Sequence, residues 1–261
     1  MSRVFCAAPI LIGLISLFPA LSAAGEGSYH TKLSQDFERL EQDYKGLYLD
    51  TGSLVRLGAG IGAAGLAANT DMDREVKDYF RNHLRNNPTD AIGKAARVPG
   101  EVFITLPAVF AVHLIVPENG AAGVWAGRSL RALLLGGPLG VFLQRVTGAS
   151  RPEEGPSSWR PFKDGNGLSG HAFVGTVPFI TGAMMQEGYM KVFFYGLSAL
   201  PAFSRINDNA HYPSQAFLGW YLAYLSSSVV AGDKGESSGG FAFYMVPAGR
   251  EGLMAWMRII F

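Results

Sequence analysis

Thiols are all but absent: the chain has one cysteine, Cys6, which lies just ahead of an N-terminal apolar stretch. Removal of that stretch leaves no cysteine, which excludes disulfides, thiolate metal sites and cysteine nucleophiles. Charge is also scarce, at 16% of residues against about 25% in ordinary soluble domains. The 22 basic and 21 acidic side chains nearly cancel to +1, so there is no basic excess to point to nucleic acid as a partner. Long apolar runs are missing as well, since most apolar blocks are shorter than the ~20 residues of a spanning helix. What is present is a chain 48% hydrophobic with a mean hydropathy of +0.16. That is too apolar for disorder and too weakly apolar for a protein that is nearly all bilayer. The 261 residues suit one large domain better than two.

Residues 1–24 read as a secretory signal. Arg3 provides a short positive start, APILIGLISLFPAL an apolar core, and LSAA the small residues for cleavage near Ala23 or Ala24. The alternative is an uncleaved anchor. Cys6 precedes the apolar core and is badly placed for a lipoprotein cysteine. In residues 25–53, Leu33, Phe37, Leu40 and Tyr44 recur at helical spacing, which predicts an amphipathic helix packed on the main body. Residues 54–231 then carry apolar blocks at 54–69, 102–116, 124–144, 172–185, 192–203 and 216–231. The expectation is an all-α bundle of about six core helices. Between the first two blocks, DREVKDYFRNHLR reads as a solvated helix ended by NNP, with Asp71 and Asp73 as acids of its first turn rather than a metal loop. In residues 232–261, GDKGESSGG is a flexible linker by composition, and FAFYMVP and LMAWMRIIF, joined by AGREG, predict a short β-hairpin.

Chemistry concentrates in three segments, each at the end of an apolar block: QRVTGASRP (144–152), GLSGHAF (167–173) and SRINDNAH (204–211). Alternate helix ends on one side of a bundle bring such segments together. Arginine suits a tetrahedral oxyanion because its planar fork offers paired, permanently charged donors. Ser169-Gly170 ahead of a helical run offers a hydroxyl and free backbone amides at a helix N-terminus. One histidine can attack phosphorus and a second can donate a proton. Arg151, Arg205, Ser169, Gly170, His171 and His211 therefore make a set for phosphoryl transfer that calls for no metal and no cofactor. Singly, each has a plainer reading: Arg151-Pro152 as a loop, Ser-Gly-His as a turn into a helix, His211 as a helix cap. His113, inside an apolar run, reads as a core histidine, and His30 and His83 as surface residues.

The ordered set resembles the type 2 phosphatidic acid phosphatase superfamily, which includes bacterial acid phosphatases and vanadium haloperoxidases. That family's pattern is Lys-x6-Arg-Pro, Pro-Ser-Gly-His and Ser-Arg-x5-His-x3-Asp. Here it runs from Gln144 through Arg151-Pro152, through Leu168-Ser169-Gly170-His171, to Ser204-Arg205, His211 and Gln215. The resemblance implies that His211 forms a phosphohistidine and that His171 protonates the leaving alcohol. It also implies that Arg151, Arg205, Ser169 and the Gly170 amide hold the phosphoryl oxygens. Two polar positions depart from the pattern: Gln144 stands where the family has lysine and Gln215 where it has aspartate. Lys163 is a candidate to replace the cation and Asp208 to replace the acid, and Leu168 takes a proline's place. The expected function is a metal-independent phosphatase for phosphate monoesters or lipid phosphates. The alternative is a weakened or inactive relative that binds phosphate esters.

With the signal removed, the chain starts outside. If residues 54–69 do not span, two crossings return Arg151 to the outside, and a chain in which nothing spans also leaves it there. If that weak Gly/Ala block spans, Arg151 lies in the cytoplasm. The expectation is a cell-envelope protein, periplasmic or membrane-associated, with an outward-facing site. Arg128 and Arg131, midway along 124–144, would be costly in lipid unless they face protein or water.

Overall fold

In the computed structural model the described residues are 26–232, 241–248 and 252–259, with side chains described for 34–232. The signal segment with Cys6, the 233–240 part of the linker, residues 249–251 of the AGREG join and the terminal Phe261 lie outside them.

The fold is all-α. In chain order the helices are α1 (Glu26–Tyr48), α2 (Thr51–Ala68), α3 (Met72–Tyr79), α4 (Asn87–Arg97), α5 (Val102–Ile115), α6 (Ala121–Thr147), α7 (Gly170–Met184), α8 (Gly188–Ser198), α9 (Leu200–Asn207) and α10 (Pro213–Val230). A π-turn, Phe80–Leu84, follows α3, and a 3-10 turn, Val98–Gly100, joins α4 to α5. At the C-terminal end, β1 (Phe241–Ala248) and β2 (Gly252–Ile259) pair antiparallel, from Phe241↔Ile259 to Ala248↔Gly252. The chain divides at Gln42 and Asp43 into two compact units; everything that follows concerns the larger one.

Its core is built on α6, α7 and α10. Leu133, Leu135, Leu143, Phe173, Val177, Leu218, Leu222 and Leu225 pack there, with Ala64 of α2 against them. The Leu168 side chain, just before α7, is sealed in the same cluster. The loop that carries the second motif is thereby anchored to the core by its own apolar residue.

Two helix starts and one helix end place the chemistry. Ser169 is the N-cap of α7, its hydroxyl accepting the Ala172 amide at 3.3 Å. This leaves the first amides of the helix without an intrahelical acceptor. Pro213 opens α10, as its fixed φ favours, directly after His211-Tyr212. The long α6 stops at Gly148, whose φ is +60° and whose Cβ, if it had one, would lie 1.9 Å from the Arg160 carbonyl oxygen. Only glycine permits that left-handed, crowded end, and it turns the chain into the loop bearing Arg151.

The structure departs from the sequence expectations in two places. The apolar block 192–203 is two helices, α8 and α9, broken where Pro201 starts the second. A proline is tolerated in a first turn but not in a helix interior. The polar stretch 70–100 is mostly exposed, as expected, and Asp73 lies in the first turn of its helix, but that acid is not solvated. Asp73, 1% exposed, reaches across to the first turn of α10, where it accepts the Ser214 amide at 2.8 Å and the Ser214 hydroxyl. Burial raises the Asp73 pKa against the hydrogen bonds from Ser214 and Ser157. The acid thus caps a second helix rather than facing water from its own.

Candidate active site

The three motif segments meet through hydrogen bonds, and the two glutamines that depart from the family pattern make several of them. Gln144, on the last turns of α6, donates from Nε2 to the Leu168 carbonyl at 3.1 Å. Gln215, in the first turn of α10 and fully buried, donates from Nε2 to the Ser150 carbonyl at 2.7 Å. Its backbone carbonyl accepts the Ser169 amide at 2.9 Å. The segment before Arg151, the Ser-Gly-His turn and the His211 turn are therefore tied to one another. An amide side chain can do this because it donates as well as accepts; a carboxylate in its place has no donor to offer a carbonyl.

His211 is 5% exposed. Its Nδ1 lies 2.9 Å from Gln215 Oε1, which also accepts the Tyr212 amide at 3.1 Å. Two of these contacts fix the amide's orientation: the Tyr212 N–H requires an acceptor, and the Ser150 carbonyl requires a donor. Oε1 therefore faces the histidine, and the histidine must carry its proton on Nδ1. The other nitrogen, Nε2, is left with a lone pair and no described partner. Burial pushes the His211 pKa down to about 3. The Gln215 hydrogen bond opposes that, and the charges of Arg151, Arg205 and His171 reinforce it. At neutral pH the ring is uncharged.

Arg205, at the end of α9, shares a turn with His211. Its carbonyl accepts the amides of Ala210 at 2.9 Å and His211 at 3.2 Å. Its Nε and Nη1 are buried without a hydrogen-bond acceptor among the described residues. Asp208 Oδ2 lies 3.5 Å from Nη1. Burial lowers the Arg205 pKa, Asp208 opposes that, and Arg97 and Arg151 add to it. Buried donors without acceptors are costly, and a bound oxyanion would satisfy them. Arg151 is exposed and is oriented by Asn166, whose Oδ1 accepts from Arg151 Nε at 3.1 Å.

His171, the second residue of α7, is half-buried. Its pKa is lowered first by burial and then by Arg205, while Glu101 pulls it up. Glu101 Oε1 stands 3.4 Å from His171 Nε2.

Arg151, Ser169, Gly170, His171, Arg205 and His211 thus gather at one set of helix ends, with Gln144 and Gln215 beneath them. Asp208 does not take the place of the family acid. It pairs with Arg205, and Gln215 occupies the Nδ1 position. Lys163 and Arg145 are exposed. Sequence reasoning missed Arg97, Glu101 and Asn166. The first two lie in a segment some 40 residues ahead of the first motif; Asn166, three residues before Ser169, was signalled only by standing beside the Ser-Gly-His turn. Comparison of the chain with protein-family models, curated proteins and solved structures finds no match.

Proposed function

We propose that this site belongs to the histidine-dependent phosphoryl-transfer class. Within that class, the protein is best read as a metal-independent phosphatase like the type 2 phosphatidic acid phosphatases, acting on phosphate monoesters or lipid phosphates. The observation that carries the reading is the locked, uncharged His211. Its Nδ1 is held by Gln215 Oε1 and its Nε2 lone pair has no partner among the described residues, beside the Arg205 guanidinium, whose buried Nε has no hydrogen-bond acceptor among them.

In this reading Arg151, Arg205, the Ser169 hydroxyl and the Gly170 amide hold the non-bridging oxygens, so that charge developing in the transition state meets fixed donors. His211 Nε2 forms an N–P bond as the ester P–O bond breaks, and His171 gives its proton to the departing oxygen. A water then loses a proton to the neutral His171 and its oxygen attacks phosphorus. The N–P bond breaks, its electron pair returns to His211, and inorganic phosphate leaves. The test is hydrolysis of p-nitrophenyl phosphate and phosphatidic acid beside His211→Ala; equal rates for the two proteins would remove the enzyme.

Catalysis needs His211 neutral and His171 protonated. The first condition holds above about 3, and the second fails above a value that lies below the usual 6.5. The rate profile should therefore be bell-shaped with an acid optimum between those limits. A profile still rising at pH 8 would contradict these assignments.

The second reading, a relative that binds phosphate esters with little turnover, is favoured by one observation: no carboxylate stands at His211 Nδ1. Gln215→Asp separates the two. The new charge should raise the His211 pKa and stabilise the positively charged phosphohistidine, so activity per folded molecule rises. The variant also loses the donor to the Ser150 carbonyl, at an expected cost of about 1–3 kcal/mol, read as a lower melting temperature. A stable variant with no gain in rate would favour the binder.

Membrane association is part of the proposal. Phe103, Ile104 and Ile115 of α5 and Val141 and Phe142 of α6 are exposed, which is an unusual amount of bulky apolar surface for water. No single helix among the described residues is long and apolar enough to cross a membrane. Asn87–Gly100 and Val102–Ile115 together reach that length and composition, bent by 57°. The signal segment places the site outside the cytoplasm in this reading.

A further inference from the structure

A short chain of charge leads into the site from a segment outside all three motifs. Arg97, the last residue of α4, lies with Nε 3.6 Å from Glu101 Oε1. The same oxygen lies 3.4 Å from His171 Nε2. One carboxylate oxygen thus stands between a guanidinium and the imidazole.

The backbone is built to put it there. Between the two residues runs the 3-10 turn Val98–Gly100, which packs against the first turn of α7. A Cβ on Gly100 would lie 2.8 Å from the His171 carbonyl oxygen, so a side chain at this position would push the turn, and Glu101 with it, off the helix. Glu101 leads into α5 without making a side-chain cap bond there. Its carboxylate is free to serve His171 instead.

We propose that Glu101, braced by Arg97, is the positioning residue of the proton donor His171: it takes the Nε2 edge of the ring and leaves the Nδ1 edge for the departing oxygen. This rests on the phosphatase reading. Imidazolium has an N–H at both nitrogens. Pairing one with a carboxylate fixes the ring's rotation and favours the protonated form, as second partners of catalytic histidines commonly do. The charged and titratable groups facing His171 are Glu101 and Arg97 at the α4–α5 turn, Arg205 from α9 and the neutral His211 ahead of α10. Glu101 is the only acid among them, so it alone opposes burial and the arginines.

The test follows the His171 ring signals by NMR against pH, assigned through His171→Asn, in wild type, Glu101→Gln and Glu101→Asp, together with the pH–rate profile on p-nitrophenyl phosphate. In Glu101→Gln the His171 midpoint should fall by about half a pH unit or more. The high-pH limb of kcat should move with it while KM stays nearly constant. Glu101→Asp, one methylene shorter, should fall between. An unchanged midpoint in folded Glu101→Gln overturns the proposal, because a merely structural carboxylate would alter melting and leave the titration alone. If Glu101→Gln does not fold, Glu101→Asp decides: a partial fall supports the proposal and none overturns it. If wild type turns over no phosphate ester, the phosphatase reading fails, and the titration still decides whether Glu101 governs His171.

Discussion

His211→Ala should lower turnover of phosphate esters by ~10³-fold or more, because the covalent route is lost rather than weakened. The remaining groups still hold phosphate but have no nucleophile of comparable reach. Asp208 is committed to Arg205, and His171 faces Glu101. Binding should survive. Arg151, the Ser169 N-cap and Arg205 keep their backbone supports, and the buried Nε of Arg205 still has no hydrogen-bond acceptor among the described residues. Inorganic phosphate should therefore raise the melting temperature of the variant about as much as that of the wild type. Wild-type protein reacting with ³²P-labelled substrate at acid pH and quenched rapidly into alkali should yield an alkali-stable, acid-labile phosphoprotein that His211→Ala does not form. Turnover kept within a few-fold of wild type would rule out His211 as nucleophile.

The second large effect is on stability. His211 in the folded protein has a pKa of about 3, pushed down by burial, whereas in the unfolded chain it titrates near ~6.5. Between those values the unfolded state takes up a proton that the folded state refuses. Stability is therefore intact above the unfolded pKa, falls as pH drops below it, and stops falling near the folded value. The linkage relation gives a loss of about 3 kcal/mol at pH 4 relative to pH 7. Burial also lowers His171, which acts in the same direction. The raised Asp73 carboxyl acts in the opposite one, gaining stability as pH falls. The difference between wild type and His211→Ala isolates the single histidine, and urea unfolding at several pH values from 7 to 4 measures it. Parallel stability curves for the two proteins would mean that His211 is not held neutral by its surroundings.

Gln215 sharpens both expectations. By pattern alone it is a loss, a neutral side chain where the family has an acid. In the fold it bonds His211, Tyr212 and the Ser150 carbonyl at once. Two of those partners are donors and one is an acceptor, so an amide satisfies all three and a carboxylate cannot. The position trades charge on the nucleophile for a joint between motif segments. Gln144 makes a smaller trade of the same kind with Leu168.

Much of the fold was legible because its signals are local. The apolar blocks and the Ser169 turn into a helix each act within a turn of the residues that carry them. The candidate site was legible as an ordered set, since residue type and spacing state which chemistry each segment can offer. The break between α8 and α9 was missed because periodicity passes through a proline that a new first turn accepts.

By itself, then, the sequence determined an all-α chain with two histidines, two arginines and a Ser-Gly turn at helix ends, because helix periodicity and capping are written over a few residues. Only the tertiary structure decided how those groups are wired: Gln215 rather than Asp208 on His211, Asp73 on the start of α10, and Arg97 and Glu101 beside His171. Those partners lie from four to 141 residues apart in the chain. Side-chain pairing at such separations is set by how helices pack, and burial, which decides the protonation of His211, exists only once they have.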